Sequence, residues 1–253
     1  MTVSDDSGLE NIELDSRPLV AKIAEVLRSR IGSGELTPGQ KIRQDVFAEA
    51  MGVSRTPIRE AFQVLAAEGW VTVRPRAGVV VRDLSADEVQ EIALMRLLLE
   101  PFAAQLAAVN HDEKDAQLVR RLLDEPPPTH GNADWFNEFE RTNKRFHFVI
   151  YGIGRGFLPG TVETAIGQYW DRFTRYRRYH WASEAEIPRS NESHEQVFRA
   201  WSARDADATY TEVGRHIIPV AAGLVHRIDA DPEFSHALRT KATEFGIDLQ
   251  RTS

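Results

Sequence analysis

The stretch Val46–Gly69, VFAEAMGVSRTPIREAFQVLAAEG, constrains the fold more than any other part of the chain. It reads as two short helices joined by a tight turn at Met51-Gly52-Val53. Val46, Phe47 and Ala50 give the first helix an apolar face, and Ile58, Ala61, Phe62 and Leu65 recur on one face of the second at helical spacing. Ser54 stands at the N-cap of the second helix, where its side-chain oxygen would accept an orphan N–H of the first turn. Pro57 is tolerated there because first-turn N–H groups have no intrahelical partner. Arg55, Arg59 and Gln63, four residues apart, mark a different face. An apolar back, a guanidinium front and a short helix packed before it is the form of a DNA-reading helix-turn-helix. An ordinary amphipathic pair with solvated arginines has the same periodicity, so the flanking sequence must decide.

The distribution of charge favours DNA. The 253-residue chain has a formal net charge of −7, which taken whole speaks against a nucleic-acid partner. Residues 1–15, however, hold five acidic side chains and no Lys or Arg, whereas residues 16–82 hold eleven Lys/Arg against six Asp/Glu, a local net of +5. A basic segment around a candidate reading helix is the footprint that phosphate binding requires, and counterion release makes such binding salt-dependent. The acidic start, residues 1–16, reads as a disordered tail.

The surroundings of the helix pair complete a recognisable unit over residues 17–83. Leu19, Ile23, Val26, Leu27 and Ile31 predict a helix before it, ended by Gly32 and Gly34, with a turn at Pro38-Gly39. After it, Trp70–Val73 and Val79–Val81 are short β-rich runs joined by Arg74-Pro75-Arg76-Ala77-Gly78. Three helices followed by a two-stranded hairpin form a winged helix, and Arg74 and Arg76 would carry positive charge to the wing tip. From Ser85 strand signals nearly vanish. Ser85 with Glu88 predicts a capping box, and a long apolar helix with Pro101 inside it follows. Further helices are expected at about Glu113–Leu123, Trp135–Ile150, Leu158–Trp181, Ser190–Ala203 and Ala206–Ile228. The expectation is a mainly α protein: an N-terminal winged helix-turn-helix, an all-helical bundle over residues 84–230, and an extension over residues 231–253 that Phe234–Phe245 would make helical.

Several classes are disfavoured. With no cysteine there are no disulfides, no thiol catalysis and no thiolate metal site. The start MTVSDDSGLENIELD lacks the basic and apolar regions of a signal peptide, and no apolar run approaches the ~20 residues that span a bilayer. A cytoplasmic protein without membrane contact is expected. An enzyme is not: His194-Glu195 lacks the second histidine of H-E-x-x-H, and no G-x-S-x-G, phosphate loop or dinucleotide fingerprint occurs.

Of the eight histidines, three lie on predicted helices of the second domain among apolar neighbours: His147, His194 and His216. Asn143 precedes His147 by four residues, so the two face the same way. Three neutral imidazoles and one oxygen ligand suit zinc, with nickel or iron as alternatives. From spacing alone the commoner explanation is three hydrogen-bonded core histidines. Arg96 interrupts the apolar helix LMRLLLEPF, and if it faces inward its charge needs a partner. That partner is either Glu100, four residues on, or the carboxylate of a bound small acid. The run Asp171–Arg178 is too dense in charge to be wholly buried and reads as mostly solvated, with Arg172 or Arg175 reaching a pocket.

The block GVSRTPIREAFQVLAAEGWVTVRPRAGVVV, preceded by TPGQKI, resembles the winged-helix domain of the GntR family of bacterial transcriptional regulators. The helical remainder resembles the FCD effector domain of its FadR subfamily, the two together covering roughly residues 17–228. The resemblance implies that Ser54, Arg55, Thr56 and Arg59 touch bases or phosphates and that Gly78 lies at the wing tip. Arg43 stands near the position where the family often has another arginine, occupied here by Asp45. It implies further that Asn143, His147, His194 and His216 form a divalent-metal site, Asn143 departing from the commoner Asp, and that Arg96 faces an effector pocket. The reading is a homodimeric, ligand-responsive repressor that binds a palindromic operator and senses a small organic acid. The alternatives are a regulator for which the metal itself is the signal, or a metal-dependent hydrolase with an appended DNA-binding domain.

Overall fold

In the computed structural model the residues described are 19–74, 78–83, 85–126, 135–180 and 187–249. The expected acidic tail and Arg76 at the wing tip lie outside them. Among the described residues there are ten helices and one three-stranded sheet.

The N-terminal part begins with α1 (Leu19–Gly32), whose Ile23, Ala24, Leu27 and Ile31 are buried at helical spacing. A two-residue strand β1 (Lys41–Ile42) precedes α2 (Gln44–Ala50) and α3 (Arg55–Ala67). The α2–α3 turn rests on Gly52, whose φ of +64° is the left-handed conformation that L side chains avoid. The hairpin is β2 (Val71–Arg74) and β3 (Gly78–Val81). Antiparallel pairing gives the order β1-β3-β2, with Arg74 opposite Gly78 and Lys41 opposite Val80. β1 is too short to leave a periodic signal, which is why only two strands are readable in the sequence. Ile58, Ala61, Phe62 and Leu65 of α3 are fully buried with Leu27, Trp70 and Val79 in one apolar cluster.

The second cluster is wholly helical. It contains α4 (Ala86–Asn110), α5 (Glu113–Asp124), α6 (Trp135–Ile150), α7 (Gly160–His180), α8 (Ile187–Ser202), α9 (Ala206–Ile228) and α10 (His236–Glu244). Every predicted helix is present, displaced by at most a few residues at its ends. α4 corrects one expectation, being long and apolar enough by length and composition to cross a membrane. Its alanines raise the average around Arg96 and Glu100, so no unbroken apolar run is visible. Val89, Ile92, Ala93, Leu97 and Ala104 of α4 are each at most 1% exposed, as befits a core helix. The C-terminal segment joins this core through Phe234, Leu238, Ala242, Phe245 and Leu249. The ring of Phe245 lies over Gly214 of α9, where an added Cβ would collide with the ring.

Two capping expectations need correction. Ser54 occupies the N-cap of α3, but its side chain makes no capping hydrogen bond. Ser85 does cap α4, accepting from Glu88 N at 3.3 Å. Glu88 does not complete the box, because its carboxylate is drawn to Arg172 at 2.6 Å and Arg82 at 3.4 Å. Charged partners outcompete a backbone N–H for a carboxylate that is only 4% exposed.

Candidate functional site

The candidate DNA face is the exposed side of α3. Ser54, Arg55, Thr56, Arg59 and Gln63 are all exposed, while Ile58, Ala61, Phe62 and Leu65 anchor the opposite side. With no cap to make, the Ser54 hydroxyl is left to the same surface as Arg55. Arg43 is exposed just before α2 and donates to Asp45 at 2.8 Å, a pair that holds its guanidinium above and the Asp45 carboxyl below their usual values. Arg74 ends β2 exposed, opposite Gly78, whose φ of +89° suits only glycine.

The second site lies inside the helical cluster. His147 from α6, His194 from α8 and His216 from α9 bring their ring nitrogens within 4.8 Å of one another. His147 Nε2 and His194 Nε2 are 3.1 Å apart. All three side chains are at most 8% exposed. Burial drives each imidazole toward its neutral form, His194 to about 3 and the other two well below their ordinary value. Arg96 and Arg177 reinforce the effect at His147 and His216, and Arg177 does so at His194. Neutral imidazoles with available lone pairs are the protonation state that metal ligation needs.

Hydrogen bonds around the rings orient those lone pairs. Tyr151 Oη donates to Glu100 Oε2 at 2.7 Å, and burial keeps the phenol protonated by raising its pKa. Its single proton is thus committed, so His147 Nδ1, 3.0 Å from the same oxygen, must be the donor of that bond. The lone pair of His147 is therefore on Nε2, the nitrogen facing His194. Ser193 Oγ lies 2.7 Å from His216 Nδ1 and can orient that ring in the same way. Asn143 fits the group as well. It is 5% exposed, and neither its Oδ1 nor its Nδ2 has a hydrogen-bond partner. A buried carboxamide without partners is costly unless a ligand completes it. Asn143 and His194 together line a cavity of about 50 Å³ walled by Leu122, Phe139 and Phe146. Three imidazoles and an amide oxygen form a donor set suited to zinc.

The charged groups beside the histidines are arranged as two pairs. Arg96 donates to Glu100 from Nε at 2.7 Å and from Nη2 at 3.0 Å, so its partner is the residue four positions on. That fork leaves Nη1 outside the pairing. Burial works against the Arg96 charge, but Glu100 more than restores it. The guanidinium also lies over the rings of Phe173 and Trp170, at 4.4 and 4.9 Å. Arg177 Nη2 donates to Glu140 Oε2 at 2.6 Å. Burial raises Glu140 and lowers Arg177, each opposed by the other.

Arg172 is not part of this pocket: it binds Glu88 and lies against Gly69, at the junction between the two clusters. Among the described side chains of the 171–178 run, the arginine that reaches the pocket is Arg177. Its position was readable from Trp170, Phe173 and Arg177 falling on one helical face, but the density of charge around it reads as solvated surface. Tyr151, four residues beyond His147, was readable by the same spacing rule. The other described histidines do not join the group. His111, for example, stacks on Trp201 at 3.7 Å and shares a hydrogen bond with Ala108 O, as an ordinary core histidine does.

The junction itself is held by α7. Arg175 Nη2 donates to the carbonyls of Arg82 and Asp83, and the Ser85 N–H donates to Tyr176 Oη at 3.4 Å. Arg172 reaches Glu88 at the start of α4. One helix thus contributes Trp170, Phe173 and Arg177 to the histidine pocket and Arg172, Arg175 and Tyr176 to the connecting segment.

Comparison with known proteins agrees with this architecture. Residues 19–81 match the family described as bacterial regulatory proteins, gntR family, and residues 91–218 match the FCD domain. The chain is 31% identical over 143 residues to the uncharacterized HTH-type transcriptional regulator YdhC of Bacillus subtilis, covering 56% of this chain and 64% of that protein. It is 26% identical over 191 residues to the HTH-type transcriptional regulator McbR of Escherichia coli, covering 75% and 85% respectively. The HTH-type transcriptional repressor RspR of Escherichia coli is 25% identical over 209 residues, 83% of this chain and 90% of that one. In fold, the solved structure of Escherichia coli McbR/YncC superposes with a TM-score of 0.68 at 24% identity, covering 82% of this chain and 97% of that chain.

Proposed function

Since this chain belongs to the GntR family of DNA-binding transcriptional regulators and carries its FCD domain, we propose that it is a repressor whose grip on DNA is set by a small carboxylate bound at a divalent metal. α3 enters the major groove, with Arg55 and Arg59 suited to guanine edges or phosphates and Ser54 and Thr56 beside them. Arg43, Arg74 and Gly78 contact the backbone at the flanks. Two copies related by a two-fold axis read a palindromic operator. Leu98, Phe102 and Val109, about half exposed on one stripe of α4, supply an apolar surface for that self-association.

Asn143, His147, His194 and His216 would hold the metal, zinc being the best match to this donor set. When bound, the metal supplies a Lewis-acidic anchor for a carboxylate. Arg96 would offer Nη1 to the same carboxylate, and Tyr151 and Glu100 keep the His147 ring in the ligating tautomer. The observation that carries the regulatory reading is the double duty of α7, which walls the pocket on one face and grips residues 82–88 on another. A ligand that favours one placement of α7 thereby favours one placement of the winged helix, and shifts the population of DNA-competent dimers. The repressor named RspR among the relatives supports the sign.

The test is selection of an operator from a random palindromic pool, followed by titration of Arg55→Ala against selected and scrambled duplexes. Loss of sequence preference is expected, and an unchanged preference removes Arg55 from the reading surface. Elemental analysis of His194→Ala/His216→Ala after dialysis is expected to find no metal, and full retention refutes the site.

A further inference from the structure

The ligand set has an unusual charge. Its four members are three imidazoles, which ligate through a neutral ring, and one carboxamide, so none is anionic. The charged groups nearby do not make up the difference, because Arg96 is matched by Glu100 and Arg177 by Glu140. A dication placed among these side chains thus keeps its whole charge in a buried setting. Such a charge is costly unless it is neutralised by a counter-ion.

We propose that the carboxylate effector is the missing anionic ligand, so that acid and metal bind this chain as a mutually dependent pair, with Asn143 as the residue that imposes the dependence. The proposal rests on the metal-centre reading above and specifies how that centre is regulated. The orphaned carboxamide of Asn143 gives a dipole where an Asp would give a full charge, so the compensating charge must arrive with the ligand. The cavity beside Asn143 and His194 is of a suitable size. Its volume of about 50 Å³ is well above the ~10–15 Å³ minimum that holds a single water, which leaves room for a small carboxylate beside two of the four ligands. By linkage the effect is reciprocal: whatever factor the acid adds to metal affinity, the metal adds to acid affinity. The protein would then respond to the acid only where metal is available, and to the metal only where acid is present.

The experiment measures zinc affinity of the full-length protein by chelator competition, in acetate, in acetamide as the neutral isostere, and in perchlorate, a non-coordinating anion, at matched ionic strength. For the wild type, acetate is expected to raise zinc affinity over that in perchlorate by roughly 5- to 150-fold, the ordinary range for coupled sites, while acetamide leaves it within about twofold. Asn143→Asp is expected to bind zinc more tightly in perchlorate and to lose most of the acetate effect. The coupling is overturned if zinc binds the wild type with one-to-one stoichiometry, is lost in His194→Ala, and yet is indifferent to acetate. It is also overturned if Asn143→Asp keeps the full acetate effect. The metal centre itself fails if zinc binds neither with nor without acetate, or binds His194→Ala unchanged. Cobalt(II) in place of zinc gives an independent readout: its visible spectrum should change on adding acetate in the wild type and much less in Asn143→Asp.

Discussion

Replacing Arg96 by Met isolates the pair that stands behind the histidine pocket. Glu100 is completely buried and keeps only the Tyr151 hydroxyl once the fork from Arg96 is gone. Removing one partner of a buried ion pair costs about 3–5 kcal/mol, because the other charge stays behind. At 2–4 °C per kcal/mol for a chain of this size, that is roughly 6–20 °C in Tm. Thermal unfolding of the chelator-treated wild type, Arg96→Met and Arg96→Met/Glu100→Gln should show the full loss in the single variant, and the double variant, with no charge left behind, should recover more than half of it. A loss under about 1 kcal/mol, or a double variant no more stable than the single one, refutes the view that Arg96 exists first to satisfy Glu100.

The metal-free protein should lose stability in acid through its histidines. Their folded pKa values are depressed, so the unfolded chain takes up protons first as pH falls below about 6.5, and each histidine then costs about 1.4 kcal/mol per unit down to its folded value. For His194 that value is about 3. A flat melting temperature between about pH 6.5 and about pH 5 would argue that the rings are solvated. Gly214→Ala should cost about 1–3 kcal/mol by overpacking against Phe245. Hydrogen exchange should report the loss first in α10, Phe245→Ala should relieve it, and unchanged protection of α10 would contradict the close contact. Arg175→Met should leave zinc content intact while reducing the effect of any pocket ligand on operator affinity. An undiminished response would show that the carbonyls of Arg82 and Asp83 are not the point of coupling.

The legible parts of the fold are those with local causes. α3 was readable because Ile58, Ala61, Phe62 and Leu65 repeat at helical spacing, and the hairpin because β-rich runs flank a Gly-containing turn. β1 was not, since two residues carry no period and Lys41–Ile42 becomes a strand only by pairing with β3. The site shows the same division. Asn143 and His147 share a helix face by arithmetic, but nothing local joins them to His194 or His216, which lie on other helices. Only the family resemblance assembled those four in advance. Arg172 and Arg177 differ by five positions, enough to turn one toward the junction and the other toward the pocket, and a dense charge run hides that difference.

The interleaving of residues on α7 has a consequence for how such a receptor changes over time. At 100° per residue, Trp170, Phe173 and Arg177 cluster within about 60° of one another, while Arg172, Arg175 and Tyr176 occupy the other side of the same cylinder. In the proposed regulator, reception and output would thus reside in different letters of one short word. Substitutions on the first face can retune which acid is welcomed without rewriting how arrival is announced, and substitutions on the second can change the announcement without altering the guest. A library confined to the first set explores new inducers against a constant output, and its complement explores output strength for a constant inducer.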